Sequence, residues 1–347
     1  MESARKEGMM KAVFLEEYGK PLVVKEIEIP KPQSGQVLIK VEASTINPSD
    51  LGFMSPAGKT AGYMRSGDTE MPLQVGVEGS GTVISSGGGL MARALVGKRV
   101  SFATTPGKSG AWAEYVACSA MLCCPLSQEV SFEHGACGIV NPFTAMAFLR
   151  IIKREGYTAV VQTAAASQLG RMMVRILKKE GIKTINIIRR PEQRKILEDL
   201  GADVVINSEE PDFENTLRAK AEELNATCLF EAISGDITHK LIRALPRDST
   251  CYTYGKLAKE DLGKIDFHEF LVNHKTIKPF FLPNWLNEQW IFTKIGIVRQ
   301  VKSLLQNDLK PEISKKFGID QINEGLQYYI THMTEGKILV IPGQDKI

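Results

Sequence analysis

The chain has 347 residues, 43% hydrophobic and 24% charged, an ordinary globular composition with enough apolar material for two cores. Its formal net charge is +3 and it has no basic block, which makes nucleic acid and anionic membranes poor partners. No apolar run approaches the ~20 residues of a spanning helix, and the six cysteines show no C-x-x-C or Cys/His ligand spacing. They read as reduced core thiols in a reducing compartment.

The first residues, MESARKEGMMKAVFLEEYGK, contain no apolar core of a secretory signal. Their basic residues suit a mitochondrial presequence, but Glu2 and Glu7 oppose one, so the expected location is cytoplasmic with a mitochondrial alternative. From Met10 to Val41 the chain reads as strand, turn, strand, punctuated by Pro30, Pro32 and Gly35. The alternation Val37-Leu38-Ile39-Lys40-Val41-Glu42 suits a half-exposed antiparallel strand. Ile46-Asn47-Pro48-Ser49-Asp50 follows, then a Gly/Ser/Lys-rich loop. Short strands separated by glycine turns come next, at Gln74–Val83, Gly97–Phe102 and Gly110–Val116, as in a barrel-like β domain.

The middle of the chain differs in kind. Ala159-Val160-Val161 is a short β-branched run of the sort that forms a buried parallel strand. Small residues follow from Thr163 to Ser167. Met172, Met173, Ile176 and Leu177 then recur at helical spacing, and Ile185–Ile188 is a second apolar run ending in Arg189-Arg190. Strand, tight turn, helix and strand over about 30 residues form the unit that sets a dinucleotide pyrophosphate on a helix N-terminus. Counting back from Gly170, Ala165 and Ser167 stand where the first two glycines of G-x-G-x-x-G would be. The turn Ala164, Ala165, Ser167, Gln168, Leu169 and Gly170 is therefore the predicted phosphate cradle.

The residue closing the second strand of such a unit faces the adenosine ribose, where an acid favours NAD and an arginine a 2′-phosphate. No acid stands at 189 or 190, and Arg194 follows, so Arg189, Arg190 and Arg194 predict NADP(H). Further strand-like runs at Val204–Ile206, Ala226–Ile233, Thr250–Gly255 and Ile277–Leu282 alternate with helical Pro191–Leu200, Phe213–Leu224 and Ile237–Leu245. Such alternation predicts an α/β fold with a doubly wound parallel sheet.

The ordered set MKAV, INPSD, GVEGSG, GKRV, GAWAEYV and then this βαβ unit resembles the medium-chain dehydrogenase/reductase superfamily, in particular its zinc-independent quinone oxidoreductase and enoyl reductase branch. The resemblance covers about Met10 to Pro342. It implies a GroES-like β-rich catalytic domain at 1–128 and 305–347, a Rossmann NADP-binding domain at 129–304, and a homodimer paired through the sixth strand. The final helix, Ile319–Met333, and the strand Lys337–Ile341 would return to the first domain.

By the same resemblance, zinc dehydrogenases hold their metal at the positions of Asn47 and Val77, neither a usable ligand, so no metal is expected. Asn47 then becomes the candidate polar catalytic group, while Asp50 suits an Asx capping role. The tyrosine that serves relatives as proton donor is replaced by Gly52 and Gly58, leaving Tyr63 as candidate. Thr144, Ala232, Ile233, Tyr254, Gly255, Phe281, Leu282 and Lys337 would line the nicotinamide pocket. The expected reaction is hydride transfer from NADPH to a small-molecule quinone, enone or other activated C=C. Two alternatives stay open: a 2-enoyl thioester reductase of lipid synthesis, and a catalytically impaired subunit with a structural role in a larger assembly.

Overall fold

The computed structural model describes residues 7–55, 71–105, 107 and 109–343. The chain divides into two compact units, Met1–Pro142 with Val298–Ile347, and Phe143–Ile297. Of the limits expected from the sequence, 128/129 lies in a connecting segment and 304/305 at the end of the helix Ile291–Leu304; the contact boundaries fall inside that helix and inside Val140–Glu155.

The first unit is organised around the strand Gln36–Thr45, which pairs antiparallel with Glu78–Ser86, Tyr115–Ser119 and Lys337–Ile341. Its larger sheet runs in the order 313–318, 337–341, 36–45, 78–86, 99–103, 123–125, with 115–119 also on the central strand. A smaller sheet pairs 23–28, 9–15 and 73–74. Leu339 lies opposite Thr45 and Val340 opposite Ser44, so the C-terminal strand completes the N-terminal domain as the resemblance implies. Gly81 permits the close crossing of two strands, since a Cβ there would stand 2.0 Å from the Lys40 carbonyl oxygen. Trp112 is fully buried and its Nε1–H donates to the Thr45 carbonyl at 3.1 Å, satisfying the only polar atom of the largest core side chain.

The second unit holds an all-parallel six-stranded sheet in the order 204–207, 183–188, 159–162, 228–231, 250–253, 276–279. Numbered along the chain, these strands run 3-2-1-4-5-6, the doubly wound arrangement whose crevice opens where strand 1 meets strand 4. Ala159, Val161, Ile185, Ile187, Ile206 and Leu229 are buried on one face and Val160, Ile188, Cys228 and Phe230 on the other, which explains the continuous apolar runs: both faces of the sheet are covered. The helix Gln168–Lys179 buries Leu169, Met172, Met173, Val174, Ile176 and Leu177, as its spacing predicts. On the other side Phe148 stacks on Phe230 at 4.1 Å and meets Tyr254 and Phe280 edge-on at 5.0 and 4.7 Å.

The sixth strand is shorter than expected. Sequence periodicity carried it from Ile277 to Leu282, but it spans Thr276–Pro279, and a helix, Leu282–Glu288, starts at once with Phe281 as its N-cap. The Phe280 N–H still donates to the Thr253 carbonyl at 2.8 Å, and pairing ends there because Phe281 caps a helix whose first turn Pro283 suits.

Candidate functional site

The predicted phosphate turn is built largely from backbone hydrogen bonds. The Ala165 N–H donates to the Ile187 carbonyl at 3.3 Å and the Ser167 N–H to the Ala164 carbonyl at 2.9 Å. Ser167 is the N-cap of the helix, its hydroxyl accepting from the Gly170 N–H at 3.2 Å. Arg171, buried in the first turn, donates its Nε–H to the Ala166 carbonyl at 2.9 Å. A Cβ on Gly170 would lie 2.2 Å from the Ala165 carbonyl oxygen, so this last glycine of the fingerprint carries out its packing duty. The left-handed residue is Ala164, at φ 49°, one position before the expected first glycine. Ala165 and Ser167 replace glycines without strain because neither adopts positive φ.

Beneath the turn, sequence reading missed a buried polar chain. Gln162 Nε2 donates to the Gly170 carbonyl at 3.1 Å and to Asn186 Oδ1 at 2.7 Å. Asn186 Nδ2 donates in turn to Thr184 Oγ1 at 2.9 Å and the Val204 carbonyl at 3.0 Å. One network thus ties the helix start to three strands. Its members are hydrophilic interruptions within otherwise apolar strands, the only signal that could have flagged them.

Arg189 and Arg190 are exposed directly after the second strand, as the ribose-phosphate reading requires. Arg190 Nε lies 3.4 Å from the exposed Glu192 carboxylate, a pairing of small energetic weight. Arg194 is turned elsewhere: its guanidinium donates to the Val205 carbonyl at 2.8 Å and sits 3.5 Å from Glu210. Gln193, which the motif did not include, is buried and accepts both the Arg189 and Arg190 N–H groups on Oε1, at 3.1 and 3.2 Å.

At the crevice between strands 1 and 4, Thr163 Oγ1 accepts the Ala232 N–H at 2.8 Å. Glu231 is fully buried and its carboxylate accepts from the Ile233 N–H at 2.6 Å and the Ser234 N–H at 3.0 Å. Burial raises its pKa, and these hydrogen bonds oppose the rise. Tyr254 donates its N–H to the Glu231 carbonyl at 2.9 Å. Ala232, Ile233, Tyr254 and Gly255 therefore share one edge of the sheet, with Gly255 exposed. Phe281 is 39% exposed beside the half-buried Leu282. Thr144 is buried in the helix Val140–Glu155.

In the first unit Asn47, Glu78, Asp50 and Lys337 converge, all at most 3% exposed. Lys337 Nζ donates to Asn47 Oδ1. Asn47 Nδ2 donates to Glu78 Oε1 at 2.9 Å, and Glu78 Oε2 accepts the Ile139 and Val140 N–H groups at 3.0 and 2.9 Å. Asp50 Oδ2 accepts the Asn47 N–H at 2.7 Å: it reaches back from the third position of the helix Pro48–Met54 to the N-cap, Asn47, rather than capping a turn that follows it. Burial pushes the Asp50 carboxyl up to about 7; the nearby Glu78 carboxylate adds to the rise, and the Asn47 N–H and Lys337 oppose it. Asn47, the candidate polar catalytic group, has no accessible surface, and its amide is held between Lys337 and Glu78. Tyr63 lies outside the described residues. Among those described, no three His, Cys, Asp or Glu side chains cluster as a metal site would require.

A Rossmann sheet with a tight turn into its first helix, in one chain with a GroES-like unit carrying a buried polar network, defines a two-domain dehydrogenase or reductase. Two family models match accordingly: the alcohol dehydrogenase GroES-like domain over residues 33–128 and the zinc-binding dehydrogenase over 169–293. A crystal structure of a candidate NADPH:quinone reductase from Mesorhizobium loti is 32% identical, with a TM-score of 0.85 over 98% of this chain and 100% of that one. The mitochondrial enoyl-[acyl-carrier-protein] reductase of Arabidopsis thaliana is 26% identical over 316 residues, covering 87% of this chain and 81% of that protein. A Rattus norvegicus quinone oxidoreductase is 26% identical over 234 residues, 65% of this chain and 67% of that protein. This chain belongs to the medium-chain dehydrogenase/reductase superfamily.

Proposed function

We propose that this chain is an NADPH-dependent, zinc-independent reductase that transfers hydride to a quinone, enone or related activated C=C substrate. The observation that carries the reading is the exposed Arg189-Arg190 pair closing the second strand, in a chain 32% identical over its length to a candidate NADPH:quinone reductase. The site suits the cofactor. Gly170 admits the close helix–turn contact, Ser167 caps the helix whose N-terminus would face the pyrophosphate, and two guanidinium groups meet the 2′-phosphate. When bound, NADPH supplies the hydride. The chain binds and orients it, with Thr163 and Glu231 fixing the backbone from Ala232 to Ser234 at the crevice.

Hydride delivery leaves an enolate or hydroquinone anion to be stabilised. Asn47 is the group the family resemblance offers for this task, and Lys337 Nζ, donating to its Oδ1, orients the amide. Zinc independence rests on residue type: the Asn47 amide is committed to Lys337 and Glu78, and Val77 offers no donor atom. A homodimer through the edge strand Thr276–Pro279 fits the family, and this strand pairs only with Thr250–Thr253 among the described strands. The six cysteines are free and buried, which suits a reducing compartment such as the cytoplasm. The mitochondrial relatives keep the mitochondrial location as the alternative.

A second reading, a 2-enoyl thioester reductase, is favoured by the curated enoyl-[acyl-carrier-protein] reductases among the relatives. Loss of NADPH absorbance, followed with a naphthoquinone, an enone and a 2-enoyl thioester as alternative acceptors, separates the two. Higher kcat/KM with the quinone or enone is expected. Preference for the thioester establishes the second reading, and NADPH binding without any turnover would favour a structural subunit.

A further inference from the structure

We infer that Gln193 is a third ligand of the cofactor's 2′-phosphate and a determinant of NADPH over NADH, an inference resting on the cofactor reading above. The two ends of a side-chain amide differ: its oxygen accepts hydrogen bonds and its NH2 group donates them. Both groups that approach the Gln193 side chain at its oxygen are backbone N–H donors, Arg189 at 3.1 Å and Arg190 at 3.2 Å. A carbonyl oxygen can accept both; an NH2 group can accept neither. The orientation of the amide is therefore fixed by chemistry, and its Nε2 must face away from the strand–helix turn.

Nε2 has no hydrogen-bond partner among the described residues, and it is not among their buried unsatisfied atoms. Two N–H donors thus reach solvent from a side chain that is otherwise 8% exposed. They emerge at the end of the strand Lys183–Ile188, beside the exposed side chains of Arg189 and Arg190. That is the position the adenosine ribose takes in a dinucleotide-binding unit. The adjacent arginines supply charge on flexible stems. Gln193 supplies two donors whose direction is set in advance, so little ordering entropy is lost when a phosphate oxygen accepts from them. The same side chain holds the two peptide groups from which both arginines project. Arg194, by contrast, spends its guanidinium on Val205 and Glu210.

The Gln193→Glu variant tests the assignment. A carboxylate oxygen still accepts both N–H groups, so the turn is kept, while the two donors become an acceptor carrying negative charge. Titration of wild type and variant with NADPH and NADH, followed by nicotinamide fluorescence, should show NADPH Kd rising more than ~10-fold and NADH Kd changing less than ~2-fold. The Gln193→Met variant, which loses the turn bonds and the donors without adding charge, should also lose affinity for NADPH more than for NADH. Equal weakening of both cofactors would make Gln193 purely structural, and unchanged NADPH binding in Gln193→Glu would remove it from the site; either overturns the inference while leaving the cofactor reading intact. Failure of the wild-type protein to bind NADPH would overturn both.

Discussion

The two units hold their functional groups by opposite means. In the first, Asn47, Asp50, Glu78 and Lys337 are buried side chains joined to one another, and two of the three ionisable members are acids. In the second, the proposed phosphate turn from Ala164 to Gly170 is held mainly by backbone groups, and the charges proposed to meet the cofactor, Arg189 and Arg190, stand in solvent. A buried charge network is sensitive to protonation and to deletion of any member. A backbone cradle is sensitive to sterics, and its exposed arginines to salt.

The largest expected break is in the first unit. Glu78→Ala leaves the Asn47 Nδ2 and the Ile139 and Val140 N–H groups without their acceptor and deprives buried Lys337 of a counter-charge. It should cost about 3–5 kcal/mol of unfolding free energy, read from denaturant midpoints. A loss below 1 kcal/mol, on the order of a surface substitution, would mean the network is not formed.

Asp50 sharpens the comparison through pH. Its folded-state pKa is raised to about 7 from 3.8, so between those values the folded protein binds more protons than the unfolded chain. Stability from this group is complete below about pH 4, falls as pH rises, and is lost above about pH 7, at most about 4 kcal/mol in total. Asp50→Asn removes that slope. The variant should therefore gain on the wild type as pH rises from 5 to 8 (on the order of the pKa span). Parallel stability curves for the two proteins would contradict it.

The smallest effect belongs to the backbone cradle. Ala164 at φ 49° is the residue where glycine relieves strain, so Ala164→Gly should raise stability by no more than about 1 kcal/mol and change NADPH affinity by less than ~2-fold. A clear loss in thermal melts would show that Ala164 does not hold a left-handed turn.

This contrast also sets what could be read from the chain. The Rossmann unit was legible because its strands are short apolar runs and its first helix repeats Met172, Met173, Ile176 and Leu177 at helical spacing. The arginine pair was legible because its position follows from the length of the βαβ unit. The network of the first unit was not: Asn47 meets Glu78 across 31 positions and Lys337 across 290, and no local pattern reports such a meeting. Glu78 looked like an ordinary strand residue of GVEGSG. Gln193 escaped because the motif counts charged ribose ligands, and its role depends on which atoms of its amide are already engaged. The sixth strand ran long because Phe280 to Leu282 continue the apolar run, although Phe281 already caps the helix Leu282–Glu288.

The central claim is that the arginine pair makes this protein an NADPH enzyme. The most direct test compares NADPH and NADH binding, by nicotinamide fluorescence, in the wild type and in the Arg189→Ala/Arg190→Ala double variant. The wild type should bind NADPH selectively, and the variant should lose ~30-fold or more for NADPH with little change for NADH. Equal loss for both cofactors, or no selectivity in the wild type, would contradict the account.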